Sequence, residues 1–358
     1  MLWITLLTLA SSIQPPAPAT APYRQPQIAI AGKQVAMVFG GGSSVYFTSS
    51  SDNGATFAAP VKVAETGALA LGRHRGPRVA ILRDGTLVVS AIAGEKVATG
   101  PHAHGLPEAG NLLTWRSTDH GKTWTRSATI NDVPGAAREG LHAMTLAADG
   151  KTLHSVWLDL RDKGTKLYGS KSDDGGKTWA KNTLVYESPD GTICQCCHPS
   201  LTADTRGNIW MMWRNVIGGN RDMYVLNTSA AKPEAVKQGI GTWPLNACPM
   251  DGGAFAVDPD GKVSSAWRRD GAVFLAERGA AEVELGKGKD VAMARNKRGS
   301  FVAWTKDGNV PVVRLPEGGV KTLGTGAAGG FVAMAAIDGR RVLAAWESQG
   351  SIETTILE

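Results

Sequence analysis

The sequence predicts an all-β chain: a single β-propeller of four-stranded blades, seven by repeat count, with six as the alternative. Three observations carry this expectation. A five-point turn pattern recurs three times, a strand that often ends in tryptophan recurs seven times, and helical periodicity of any length is absent.

The turn pattern runs Ser50-x-Asp52-x-Gly54-x-Thr56-Phe57. It returns as Ser117-x-Asp119-x-Gly121-x-Thr123-Trp124 and as Ser172-x-Asp174-x-Gly176-x-Thr178-Trp179. The chemistry is that of a tight hairpin. Ser and Asp side chains satisfy turn amides, Gly supplies a backbone conformation closed to other residues, and the aromatic packs back onto the sheet. Asp52, Asp119 and Asp174 are therefore read as structural.

The looser pattern is a turn, often Asp-Gly or Arg-Gly, followed by an alternating strand. It occupies residues 32–39, 84–90, 149–157, 206–213, 260–267, 298–304 and 338–346. An apolar strand such as Val79-Ala80-Ile81-Leu82 or Val291-Ala292-Met293-Ala294 precedes each, and most are followed by a third strand. Such units recur every roughly 40–65 residues, the length of a propeller blade. A lone blade cannot bury its faces, and stacking blades in a ring solves that. The last unit ends after three strands, so residues 23–26 are expected to complete it.

Composition fits a globular chain: 358 residues, 42% hydrophobic and 20% charged. Beyond the N-terminus no apolar run reaches the length of a membrane-spanning helix, so no transmembrane domain is expected. Residues 1–10 are apolar, and Ala19-Thr20-Ala21 follows in a Pro/Ala-rich stretch. Residues 1–21 therefore read as a signal peptide, with a plain N-terminal tail as the alternative, and 22–358 as the propeller domain. The expected address is periplasmic or secreted, and the expected state a monomer. The net charge is +6, with cations interspersed among Asp and Glu, so a nucleic-acid surface is not indicated. A small anionic ligand fits better.

In a four-stranded blade the first strand lines the channel. Its entrance and the loop between strands two and three open on one face, while the Asp turns lie on the other. The entrances carry His74 to Arg78, Arg138 to His142, Cys194 to Pro199, and Asn246 to Asp251. The loops carry His102, His104 and Glu108, then Arg161, Arg214, Arg221 and Arg268. Every cysteine and five of the seven histidines thus gather at one mouth. A functional mouth is one reading, and loop polarity that solvates a rim is the plainer one.

The turn motif resembles the Asp-box, or bacterial neuraminidase repeat, of the sialidase superfamily. Cys194-x-Cys196-Cys197 followed by Trp213-Arg214-Asn215 and Arg221-Asp222 is similar to a bacterial sialidase-like subfamily. The resemblance implies three arginines that clamp a sialate carboxylate by paired hydrogen bonds. Arg75 in Arg75-Gly76-Pro77 would be the first, Arg221 the second, and Arg268 or Arg269 the third, with Arg214 and His142 beside them. The superfamily's catalytic set is incomplete. The loop from Gly94 to Gly110 holds Glu95 and Glu108 but no Asp, and Cys197-His198-Pro199 stands where the activating Glu belongs. The last tyrosine is Tyr224, far too early for the usual nucleophile. Glu108 and Tyr224 are the remaining catalytic candidates, with ordinary strand packing the plainer reading of Tyr224.

The four cysteines admit two disulfides in three pairings. They also admit a soft metal site of Cys194, Cys196, Cys197, His198, Cys248 and Met250, suited to copper as Cu(I) or, less well, zinc. His142, His102 and His104 would add ligands to it. A low-pKa redox thiol beside the arginines is the third reading. The function expected is therefore an exported sialidase-like propeller that binds a small anionic or glycan ligand at its channel mouth. A glycosidase of exo-sialidase type with altered catalytic residues and a copper or zinc protein are the alternatives.

Overall fold

The structure is a computed structural model, and it describes residues 11–15, 21–100, 103, 105–277, 281–324 and 329–358. The described residues form seven antiparallel sheets arranged as blades around a channel. The inner strands are Tyr23–Ala31, Arg78–Ile81, His142–Leu146, Ser200–Ala203, Gly253–Val257, Lys289–Asn296 and Gly329–Ala336, which define blades 1 to 7. Each inner strand packs beside the next, and that of blade 7 packs on that of blade 1, which closes the ring. Seven is therefore the blade number, and the six-blade alternative falls.

The seven sequence units become the second strands: Gln34–Gly41, Leu87–Gly94, Leu153–Asp159, Ile209–Arg214, Val263–Arg269, Gly299–Thr305 and Val342–Ser348. Flanked on both faces by neighbouring blades, they are buried almost throughout. Their terminal tryptophans act as wedges. Trp213 packs among Leu141, Leu158 and Ile193, between blades 3 and 4, and Trp304 packs against Ala266 and Val273 of blade 5. Truncating such a side chain to alanine costs about 3–5 kcal/mol. In blade 2 an extra strand, Ala68–Leu69, pairs with the end of Leu87–Gly94.

Blade 7 differs from expectation. Its fourth strand is Ser11–Ile13, which pairs with Ser351–Leu357 in the register Ser11↔Thr354 to Ile13↔Ile352. Residues 23–26 instead begin the inner strand of blade 1, because Tyr23 registers with Gly41 of their own blade. Chain start and chain end thus share one sheet and fasten the ring. Processing through Ala21 would strip that outer strand.

The Asp turns fold as expected, between strands three and four. Thr56 N and Oγ1 donate to Asp52 Oδ1 and Oδ2 at 2.9 and 2.6 Å, and Gly54 N donates to Ser50 Oγ at 2.8 Å. The same bonds recur around Asp119 and Asp174. Among the described residues no helix is long and apolar enough to cross a membrane.

Candidate functional site at the channel mouth

The starts of the inner strands and the loops before them share an unusual backbone, with register shifts at Arg24/Gln27, Lys289/Ala292 and Gly330/Ala333. Gln25, His74, Met250, Asp290 and Phe331 have φ of 56°, 63°, 58°, 56° and 49°, at the entrances of blades 1, 2, 5, 6 and 7. Each left-handed non-glycine residue costs about 1–3 kcal/mol, and such strain concentrates at functional sites. Here it brings His74, Asp290 and Phe331 together, while Gln25 Oε1 accepts the Gly72 and Gly76 N–H groups and Met250 packs on the cysteines.

His74 stands at the centre. Its Nε2 lies 3.0 Å from Asp290 Oδ1 and 3.7 Å from Asp251 Oδ1. Its ring stacks on His198 at 4.1 Å between centroids and meets the edge of Phe331 at 5.1 Å. Asp251 Oδ2 accepts the Asp290 backbone N–H at 2.8 Å, whereas Oδ1 is buried and accepts no hydrogen bond. Burial pushes the Asp251 carboxyl up, offset in part by His74. Burial also acts on Asp290, but the His74 hydrogen bond and charge outweigh it and hold that carboxyl below its ordinary range. The His198 imidazole is pushed well down, first by burial and then by the neighbouring His74, Arg78 and Arg214. Beneath this cluster the channel encloses about 210 Å³ lined by Arg78, Met144, Phe255, Met293 and Met334. An imidazole nitrogen facing two carboxylates can hydrogen-bond to one of them or share a cation with them.

The arginines divide into spent and unspent. Arg214 is 1% exposed, and its Nε, NH1 and NH2 donate to the carbonyls of Asp251, Arg221 and Arg268 at 3.1, 2.8 and 2.8 Å. Arg78 likewise donates to the carbonyls of Gly76 and His74, both at 2.9 Å. Arg75 is buried, its Nε donates to Glu139 O at 2.6 Å, and burial brings its pKa down to about 10. Arg221 Nε donates to Leu245 O at 2.9 Å, and NH1 to Cys194 Sγ at 3.3 Å. Arg269 pairs with Glu282 at 2.6 Å. Arg268 is different: NH1 reaches only Pro249 O at 3.4 Å, and its buried Nε has no partner. Its guanidinium is near enough to Asp290 to lower that carboxyl, and Cζ sits 5.7 Å from the Trp243 ring. Both residues offered for the third clamp position keep an unpartnered buried donor, Arg268 Nε and Arg269 NH1, but Arg269 is held by Glu282, whereas Arg268 pairs with no described carboxylate at salt-bridge distance and acts on Asp290.

The cysteines meet on the same rim. Cys196 and Cys248 form a disulfide between the entrances of blades 4 and 5. Cys194 and Cys197 are buried thiols with Sγ atoms 3.1 Å apart. The Cys194 thiol is brought down to about 6 by the Cys197 hydrogen bond, against burial, with Arg214 and Arg221 adding to it, while burial pushes the Cys197 thiol well up. Met250 packs against this group. The six soft ligands read from the sequence are thus divided: two sulfurs are joined, two are paired, and His198 faces His74.

Other expected residues lie elsewhere. His142 is fully buried in the inner strand of blade 3, with Nε2 3.0 Å from Ser90 Oγ. Glu108 is exposed and lines a separate cleft with Glu65, Glu95, Lys96 and Arg126. Tyr224 lies in the third strand of blade 4, its ring 6.1 Å from that of Trp213. His102 and His104 lie outside the described residues, as does most of the 1–21 segment. Asp290 is the site residue that sequence reasoning missed. The signal was present: Asp290 stands at the start of the blade 6 inner strand, immediately before its apolar run Val291-Ala292-Met293-Ala294, as Arg78 stands before Val79 in blade 2.

Comparison with known proteins is consistent with this architecture. The BNR repeat-like domain family matches residues 10–190. No curated protein matches the chain. Among solved structures, a PL25 ulvan lyase bound to -[GlcA(1-4)Rha3S]- is similar at 12% identity and TM-score 0.58, covering 94% of each chain. The Penicillium chrysogenum alpha-L-arabinanase with arabinobiose is similar at 13% identity and TM-score 0.55, over 98% of this chain and 97% of that one. A Dyadobacter fermentans protein of unknown function is similar at 14% identity and TM-score 0.55, over 98% of both. At these identities the likeness is one of fold.

Proposed function

The chain belongs to the BNR repeat-like domain family, and from that premise we propose that it is an exported propeller that binds an acidic glycan at its channel mouth. The observation that carries this reading is Arg268, a guanidinium with a buried, unpartnered Nε beside the His74 cluster. A buried donor without a partner costs free energy that an incoming carboxylate or sulfate would recover. Trp243, 8% exposed, lies under both Arg214 and Arg268 and helps to orient the Arg268 guanidinium. Arg214 and Arg78 cannot serve, because carbonyls already occupy them. They hold the mouth in shape.

Two further points support the reading. Propellers of the same fold have been solved with arabinobiose and with a sulfated, glucuronate-containing repeat. The Cys196–Cys248 disulfide suits an oxidising compartment, in accord with export. The test is calorimetric titration with uronate-containing, sialylated and neutral oligosaccharides of equal length. Binding of the acidic ligands alone is expected, and equal binding of neutral ligands, or none at all, would sink the reading.

A further inference from the structure

We propose that His74, His198 and Asp251 hold a divalent transition-metal ion across the top of the channel, with Asp290 as a flanking carboxylate beside His74. The geometry begins with the orphan oxygen. Asp251 is 1% exposed, its Oδ2 is satisfied by the Asp290 N–H, and its Oδ1 has no hydrogen-bond donor. Buried polar atoms are nearly always partnered, and an exception calls for a water or an ion. That oxygen faces His74 Nε2 at 3.7 Å, too long for a hydrogen bond but suitable for two ligands of one ion.

The distances fit. With metal–ligand bonds of about 2.1 Å, the His74 and Asp251 ligand atoms 3.7 Å apart subtend an angle of about 125° at the ion. His198 contributes a ring nitrogen that lies within 4.8 Å of the His74 and Asp251 ligand atoms. Its Nδ1 accepts Gly252 N–H at 3.2 Å, a long contact that direct ligation through that atom would displace. The charge also fits. Asp290 already faces Lys289 at 3.9 Å and the Arg268 guanidinium, whereas the Asp251 side chain, 2% exposed, lies beyond salt-bridge reach of any described Lys or Arg, and a divalent ion with imidazole ligands would balance it. Arg214 lies near but has spent its donors on carbonyls.

The rival location is the Cys194–Cys197 pair. There the guanidinium of Arg221, 3.3 Å from Cys194 Sγ, opposes a cation, and the two sulfurs already hold each other. A nitrogen–oxygen donor set selects zinc, manganese or iron(II) over Cu(I). This site stands independently of which glycan the mouth accepts.

The experiment uses the full chain, loaded with Zn²⁺ or Mn²⁺ and dialysed against metal-free buffer, then assayed by elemental analysis and thermal melting. The parent protein and a Cys194→Ser/Cys197→Ser variant should each retain about one ion and melt higher with metal than with chelator. Asp251→Asn and His74→Gln should each bind at least about 100-fold more weakly, beyond the loss expected for an outer-shell partner. Two chemically different substitutions guard against a variant that merely misfolds. A parent protein that retains no ion and shows no metal-dependent melting overturns the proposal. So does an ion kept by Asp251→Asn but lost with the two thiols.

Discussion

His74 Nε2 and Asp290 Oδ1 lie 3.0 Å apart although 216 residues separate them in sequence. They enter from blades 2 and 6, which face one another across a seven-membered ring, so this contact spans the channel mouth. Most blade contacts in such a ring are between neighbours, and His74 is the exception: it also meets His198 of blade 4, Asp251 of blade 5 and Phe331 of blade 7. The pair therefore ties the ring across its diameter and sets a polar floor beneath whatever binds above.

That tie should be measurable as coupling. Removing the imidazole strips Asp290 Oδ1 of its hydrogen-bond partner and leaves the unpartnered Asp251 Oδ1 facing a void. His74→Ala is expected to lower stability by about 3 kcal/mol in urea unfolding. Asp290→Asn should cost less in the His74→Ala background than alone, by about 1 kcal/mol or more. Strict additivity would mean that the two side chains do not interact.

The cysteine arrangement predicts two free thiols per chain in denatured, unreduced protein, Cys194 and Cys197, and none from Cys196 or Cys248. The bridge closes a loop of 52 residues, which corresponds to about 4 kcal/mol of chain entropy. Cys248→Ser should lose a stability of that order, and reductant should lower the parent to the same level. A count of zero or four thiols contradicts the assignment.

The Asp turns make stability fall in acid. Hydrogen bonds from Ser50 and Thr56 bring Asp52 from 3.8 to about 2, and at Asp174 those from Thr178 and Ser172 outweigh burial to reach about 2. A carboxyl whose folded pKa is depressed contributes above its unfolded value, and the contribution disappears as pH falls through the folded value. The urea midpoint should therefore decline between about pH 4 and pH 2. A variant with Asn at positions 52, 119 and 174 should be less stable at neutral pH and show a shallower decline. An unchanged slope would place the acid sensitivity elsewhere.

The fold was legible because its signals are local. Seven turn-and-strand units, with Trp157, Trp213, Trp267, Trp304 and Trp346 at strand ends, announce seven second strands that neighbouring blades must cover. The fourth strand of blade 7 was not legible, since Ser11–Ile13 is short and finds its partner more than 300 residues away. Within the site, the gathering of His74, the cysteines and the arginines at one mouth followed from blade topology. Which arginine is free did not. Arg214 is silenced by carbonyls of Asp251, Arg221 and Arg268, and backbone oxygens leave no mark in a sequence.

Glu108 and Tyr224 lie apart from the His74 cluster. Glu108→Gln and Tyr224→Phe are accordingly expected to bind acidic oligosaccharides as the parent does, within about twofold. Neither parent nor variants should release the fluorophore from a sialoside substrate at micromolar protein. Release that is abolished by Tyr224→Phe would restore the glycosidase reading.

The most direct measurement is the dissociation constant of an acidic oligosaccharide for the parent and for Arg268→Ala, with melting temperatures taken in parallel. A lost charge-assisted hydrogen bond is worth about 1.5–3 kcal/mol, so binding should weaken by about 10- to 150-fold. The melting temperature should stay close to that of the parent, because among the described residues the Arg268 side chain donates one long hydrogen bond, at 3.4 Å, and lies as far as 5.7 Å from the Trp243 ring. Unchanged affinity in Arg268→Ala would contradict an acidic-glycan site at this mouth.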